Sequence, residues 1–223
     1  MNYLKKIIVI FLILVPISSS FGGTLTHVQT VDFDDGDQNQ NNLIAGIEFN
    51  KDGTKLFISS TQPEKPAEDT VHVNEFNLST PYDISSRSYA GDAERCTMTE
   101  VENTVYDLEF NHDGTKLFVN SRDASSGADK DKLFRYDLTT PYDVSTCQFA
   151  QQTTNLDSED NINNSEAGDF TNAAGHRHIR LQGFEFNNTG TKLFLSWFEY
   201  GSTQKLLEYT LSTPYDITSL QLV

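Results

Sequence analysis

Glu48-Phe49-Asn50-Lys51-Asp52-Gly53-Thr54-Lys55-Leu56-Phe57 returns as Glu109-Phe110-Asn111-His112-Asp113-Gly114-Thr115-Lys116-Leu117-Phe118. It returns again as Glu185-Phe186-Asn187-Asn188-Thr189-Gly190-Thr191-Lys192-Leu193-Phe194. Each copy is followed by a second phrase, Thr-Pro-Tyr-Asp, at positions 80–83, 140–143 and 213–216. Paired phrases recurring in a fixed order mark a supersecondary unit that buries its apolar faces only by stacking on copies of itself.

The second copy is the most regular and reads as four strands. Val105 to Phe110 has strand composition, and Asn111-His112-Asp113-Gly114 turns the chain, with glycine supplying the positive φ of a tight hairpin. Leu117-Phe118-Val119 is apolar without alternation, as in a strand covered on both faces. Lys132 to Leu138 carries Phe134, Tyr136 and Leu138 at period two, and Pro141 ends that strand. Asp143 to Phe149 then offers a fourth, outer strand. The other copies agree by position, Phe76, Tyr136 and Tyr209 being equivalent. Asn74 stands where the others carry Phe134 and Leu207, so the first unit's third strand is expected to be looser. The expected fold class is all-β and propeller-like, with three four-stranded antiparallel blades in an incomplete or open ring.

These units resemble bacterial secreted β-propeller repeats of the YVTN and lactonase kinds, in which an Asp-Gly-Thr-Lys-Leu hairpin precedes a strand ending near Tyr-x-Leu-Ser-Thr. The resemblance covers residues 24–223. It implies a propeller fold and carries no active-site motif, so no catalytic residue follows from it.

The phrase begins at positions 48, 109 and 185, intervals longer than the about 40–50 residues of an ordinary blade. The excess falls in Gln62 to Asp69, Ala90 to Asn103 and Gln151 to His178. Units are expected at about 24–85, 86–145 and 146–219, with 220–223 opening a further one. Residues 25–33 look like an outer strand that would complete a last blade. Three units do not fill a ring of about four to eight. A longer parent protein, assembly of copies through unpaired edges, and an open fan each meet that shortfall.

Residues 1–23 read as a signal peptide, with basic Lys5 and Lys6, an apolar run from Ile7 to Ile17, and small residues from Ser18 to Gly23. The expected mature protein is secreted or periplasmic, without stable membrane insertion. The formal charge of the 223-residue chain is −16, from 16 basic and 32 acidic residues, and loss of Lys5 and Lys6 makes it more negative. Such acidity repels phosphate backbones and excludes a nucleic-acid partner. In an oxidising compartment Cys96 and Cys147 are expected to form one disulfide; the alternative is two buried thiols in separate units.

Candidate sites are few. Asp34, Asp35, Asp37 and Asn39 are the oxygen ligands calcium prefers, making calcium the one cofactor the sequence suggests. Gln40 and Gly46 break the helix-loop-helix calcium pattern, so a solvated acidic loop is the plainer reading, as it is for 156–169. His176-Arg177-His178 is the only local basic cluster after the leader, and on a strand His176 and His178 share a face. That spacing could hold a metal or an anion, or simply form a polar strand edge. Trp197, Phe198 and Tyr200 are read as a loop after the third unit's central strand, where aromatics stack on sugars or peptides or pack on a neighbouring blade.

No serine, cysteine or lysine sits in a recognisable nucleophile setting. The leading expectation is a non-catalytic binding or adhesion scaffold for a protein or glycan. The alternatives are a metal-dependent propeller hydrolase or lyase and a self-assembling surface component, so homo-oligomers are among the expected forms.

Overall fold

The computed structural model describes residues 27–31, 43–61, 71–101, 104–123, 130–153, 156, 179–199 and 205–223. It comprises two units, Met1–Thr30 and Val31–Val223. In the first, the described residues 27–30 form no strand, and His27 Nε2 and Thr30 Oγ1 share a 2.8 Å hydrogen bond. The outer strand expected over residues 25–33 is therefore not formed at 27–31, and its remaining positions lie outside the described residues.

The second unit is all-β, and its described helical segments are 3-10 turns of three residues. Its strands are β1 (Leu43–Phe49), β2 (Lys55–Thr61), β3 (Val71–Leu78), β4 (Arg87–Tyr89), β5 (Cys96–Met98) and β6 (Thr104–Phe110). Then come β7 (Lys116–Asp123), β8 (Lys130–Leu138), β9 (Cys147–Gln152), β10 (Ile179–Phe186), β11 (Lys192–Glu199), β12 (Lys205–Leu211) and β13 (Leu220–Leu222). They make three four-stranded antiparallel blades in chain order: β1 to β4, β6 to β9, and β10 to β13. The first blade's outer edge is longer, because β5 pairs with the first half of β3 while β4 pairs with its second half. The blades stack face to face with β1 and β10 both against β6, an open propeller-like arrangement.

Each blade is built by the same two phrases. In the first hairpin Asn50 Oδ1 accepts from the Lys55 N–H at 2.8 Å, while Gly53 N–H bonds the Asn50 carbonyl at 3.0 Å. Asp52 Oδ1 accepts from both the N–H and the hydroxyl of Thr54, which hold its carboxyl below the usual range. The Thr-Pro-Tyr-Asp phrase then returns to this hairpin. Tyr82, Tyr142 and Tyr215 take left-handed φ values of 60°, 55° and 60°. Their phenols donate to the carbonyls of Lys51, His112 and Asn188. Each ring lies over the hairpin glycine; a Cβ added to Gly114 would sit 2.3 Å from Tyr142 carbons.

The aspartate after each tyrosine caps a 3-10 turn: Asp143 Oδ1 accepts from the N–H and Oγ of Ser145. The outer strand begins only after that turn. The fourth strand therefore runs over Cys147–Gln152 rather than Asp143 to Phe149, because Asp143 is engaged as a cap. For the same reason Leu220–Leu222 forms the outer strand of the third sheet, paired with β12.

The apolar triplet of the second unit divides between two interfaces, whereas in the first unit Phe57 faces the second blade and Leu56 and Ile58 form a separate buried cluster with Phe76 and Leu78. Leu117 and Val119 enter the core shared with the first blade, and Phe118 enters the one shared with the third. Phe57 meets Phe110 at 4.6 Å between ring centroids, and Phe118 meets Phe186 at 4.5 Å, so one aromatic contact closes both interfaces. Asn74 does not loosen its strand: β3 runs the full Val71–Leu78 with Asn74 buried, paired through Asn74↔Ile58. Cys96 and Cys147 are disulfide-bonded with 5.7 Å between Cα atoms, tying β5 of the first blade to the start of β9 in the second. Such a bond persists in oxidising compartments.

Two stability outcomes follow from these contacts. Gly114→Ala should cost about 2–4 kcal/mol in denaturant unfolding, combining left-handed strain with a ring clash, and should cost less in a Tyr142→Ala background. Reducing the Cys96–Cys147 bond, which spans a sequence separation of 51, should lower stability by about 4 kcal/mol in urea melts.

Candidate functional site

The strand directions give the blades two unlike ends. The hairpins at 50–54, 111–115 and 187–191 and the three tyrosine turns all lie at one end. Strands β2, β7 and β11 finish at the opposite end, where β1, β6 and β10 begin. The connecting segments 62–70, 99–103, 124–129, 153–178 and 200–204 therefore all join strands at that second end. These are the parts in which the three units differ most in sequence.

Of the third unit's sequence candidates, Trp197 and Phe198 are placed by the structure at that end. Trp197 and Phe198 are not in a loop: both belong to β11, which continues to Glu199 because β10 pairs with it over its whole length. Backbone register sets Trp197 opposite Leu181 and Phe198 opposite Arg180. His176-Arg177-His178 immediately precedes Ile179, the first residue of β10. These three residues, Tyr200, and Asp34, Asp35, Asp37 and Asn39 lie outside the described residues. Among the described residues no group of three or more His, Cys, Asp or Glu is placed to share a metal ion.

A second feature escaped the sequence reading. The first residue of the repeated phrase, Glu48, Glu109 or Glu185, sits on the inner strand of each blade. Two positions earlier the three units carry Gly46, Asp107 and Gly183, each at a β-bulge. A Cβ at Gly46 would stand 3.0 Å from the Asp107 Cα, so the first two inner strands touch at backbone distance. Asp107 occupies the middle of this row. Its Oδ2 accepts from the Phe184 N–H at 3.2 Å and its Oδ1 from the Leu108 N–H at 3.0 Å. Glu109 accepts from the Phe186 N–H through both oxygens, at 3.1 and 3.0 Å. Asn120 Nδ2 donates to the Leu181 carbonyl, and Asp131 Oδ2 accepts from the Leu181 N–H. The second blade thus holds β10 through polar side chains instead of a continuous backbone ladder.

Burial raises the proton affinity of these four carboxyls, and repulsion from neighbouring carboxyls adds to it at Glu48, Glu109 and Glu185. Burial pushes Glu109 up to about 9, with Glu185, Glu48 and Asp107 adding repulsion and the Phe186 N–H opposing it. Burial likewise lifts Glu48 to about 7, against the Phe49 N–H and with Glu185 and Asp107 adding. Asp107 and Glu185 are raised by burial as well. Near neutral pH this row can hold and release protons, at Glu48 above all. The signal in the sequence was Asp107 standing where the other two units carry glycine.

No family model matches this chain, and no curated protein does. Among solved structures it is similar to the Cps50 (Swd1) β-propeller domain of Myceliophthora thermophila, with 11% identity, TM-score 0.46, and 82% of this chain and 41% of that one covered. It is also similar to a protein described as a candidate 6-phosphogluconolactonase of Bacteroides fragilis, with 13% identity, TM-score 0.46, and coverage of 84% and 43%. The chain spans about two fifths of the length of both.

The carboxyl row makes stability depend on pH in a definite direction. The folded protein keeps a proton on Glu109 up to about 9, whereas the unfolded chain releases it near 4.5, so stability is full below 4.5 and is lost as pH rises toward about 9. Thermal melts should fall across that window, and Glu109→Gln should flatten the fall while keeping an acceptor for the Phe186 N–H. Glu109→Ala should cost about 1–3 kcal/mol at low pH, because the Phe186 N–H loses its acceptor, and the cost should shrink as pH rises.

Proposed function

We propose that the protein is an exported, non-catalytic binding module of the bacterial β-propeller repeat kind, engaging a glycan or protein at the end where the connecting segments emerge. One observation supports this best: what the three units share is used in building the blades, and where they differ lies at one end. Asn50, Asp52, Tyr82 and Asp83 and their equivalents hold hairpins and caps. Glu109, the counterpart of Glu48 and Glu185, holds the next blade through the Phe186 N–H. What remains for a ligand is the set of unit-specific segments, which carry the basic cluster His176 to His178 and lead directly from Trp197 and Phe198. Aromatic and cationic residue types of this kind suit a sugar or a peptide bearing acidic groups.

The runner-up, a propeller hydrolase or lyase of the lactonase kind, draws on a separate observation. Glu48 titrates at about 7, where a carboxyl can serve as acid or base.

Trp197 is the chain's single tryptophan, so its fluorescence reports on this end alone. Titration with a panel of glycans and peptides should give a saturable change in emission for at least one of them. Calorimetry should then show Trp197→Ala weakening that ligand about tenfold or more, roughly the loss of 1.4 kcal/mol. Binding that Trp197→Ala leaves intact would overturn this location. Turnover of a lactone or ester, abolished by Glu48→Gln, would replace the binding reading with the enzymatic one.

A further inference from the structure

The two seams between neighbouring blades are fastened by different means. Between the first and second blades the backbone itself is joined: Thr61 of β2 pairs with Thr104 of β6, which puts both blades into one nine-stranded sheet. The Cys96–Cys147 disulfide crosses the same seam, and Met98 and Val101, just beyond Cys96, are buried in the shared core. The chain has two cysteines, so no second bridge exists to fasten the third blade.

The third blade is a separate four-stranded sheet. Three carboxyls of the second blade reach its inner strand. Asp131 Oδ2 accepts from the Leu181 N–H at 2.7 Å, Asp107 Oδ2 from the Phe184 N–H, and Glu109 from the Phe186 N–H. Beside them lie the Asn120–Leu181 and Arg135–Tyr215 hydrogen bonds and the contacts of Phe118 with Phe186 and Tyr215. Polar side chains therefore do at this seam what backbone pairing and a covalent bond do at the other. The titratable groups that act on Glu109 are Glu48 of β1, Asp107 of its own strand and Glu185 of β10, and the Tyr215 phenol of the third blade feels its charge. Ionising Glu109 thus sets a buried negative charge among acids on both sides of the seam.

We propose that the seam between the second and third blades is a proton-operated latch: with Glu109 protonated the third blade is docked, and when Glu109 ionises β10 to β13 open as one unit while the first two blades stay joined. Docked, Glu109 keeps its proton up to about 9, because burial and its acidic neighbours outweigh the Phe186 N–H that favours the charged form. Opened to water, it ionises near 4.5. The docked form therefore loses ground as pH rises from 4.5 toward about 9, by the about tenfold per pH unit that release of one proton carries. Opening at this seam is also less costly than unfolding the whole chain. It gives up the cluster around Phe118, Leu181 and Phe186, and leaves in place the cluster around Phe57 and Phe110 and that of Leu56, Ile58 and Phe76.

Hydrogen exchange on the full chain with its disulfide intact, read strand by strand by mass spectrometry from pH 6 to pH 10 and divided by the intrinsic rate at each pH, tests the latch. Opening of β10 to β13 should rise about tenfold per pH unit and level off above about 9, while β2, β3, β7 and β8 keep their protection. Glu109→Gln keeps an acceptor for the Phe186 N–H but has no proton to release in this range, so opening of the third blade should become flat with pH. Should that variant fail to fold, Glu185→Gln changes an exposed side chain and removes repulsion from Glu109, so the rise should level off at a lower pH than in the unaltered chain. Loss of protection in all three blades together would overturn the proposal. So would a third blade whose opening ignores pH, a slope that survives Glu109→Gln, or a levelling point that Glu185→Gln leaves unmoved.

Discussion

The rest of the structure depends on a tyrosine laid over a glycine. In each blade the ring of Tyr82, Tyr142 or Tyr215 covers Gly53, Gly114 or Gly190, and its phenol closes on a carbonyl of the same turn. This contact explains why two phrases some 30 residues apart recur together: neither has its role without the other. Glycine is required because any Cβ would enter the ring, and because the chain there has φ values of 66° to 72°. The tyrosine turn fixes where the third strand ends and where the Asp-capped 3-10 turn sends the outer strand. The tyrosine backbone then serves the neighbour, since Lys55 and Arg135 donate to the carbonyls of Tyr142 and Tyr215. One residue type thus secures its own blade with its side chain and receives the preceding blade with its main chain.

That constraint separates the two ends of the molecule. Tightly bonded turns occupy one end and are nearly identical in the three units, which frees the other end to vary. The inner strands belong to neither end. They approach closely enough that the first unit needs glycine at the bulge, where a Cβ would meet the Asp107 backbone, while the second carries Asp107, whose carboxylate bonds the Phe184 amide. Burying carboxyls in so narrow a space keeps them partly protonated and moderates the repulsion among them.

Much of this could be read from residue order. Hairpin turns, the third strand at period two and the doubly covered Leu117-Phe118-Val119 all follow from local chemistry. The replacement of Asp by Thr189 in the third turn changes little, because Asn187 Oδ1 still accepts from the Thr191 and Lys192 amides. Other features were not legible. Asn74 suggests a weak strand by its polarity, yet β3 is held by β2 on one side and by β4 and β5 on the other. Trp197 and Phe198 look like loop residues because the equivalent positions elsewhere are polar, yet both pair with β10 and Trp197 pairs with Lys205 of β12 as well.

By itself, the sequence determined the unit: four strands, their turns and the alternation of buried positions, because these are set by φ preferences and by period-two burial within a few residues. Only the tertiary structure decided which carboxyls meet, which tyrosine carbonyl receives which cation, and which isoleucine or leucine at an equivalent position is left bare. Those outcomes depend on whether another blade lies across a given face, and no local pattern of residues records its neighbour.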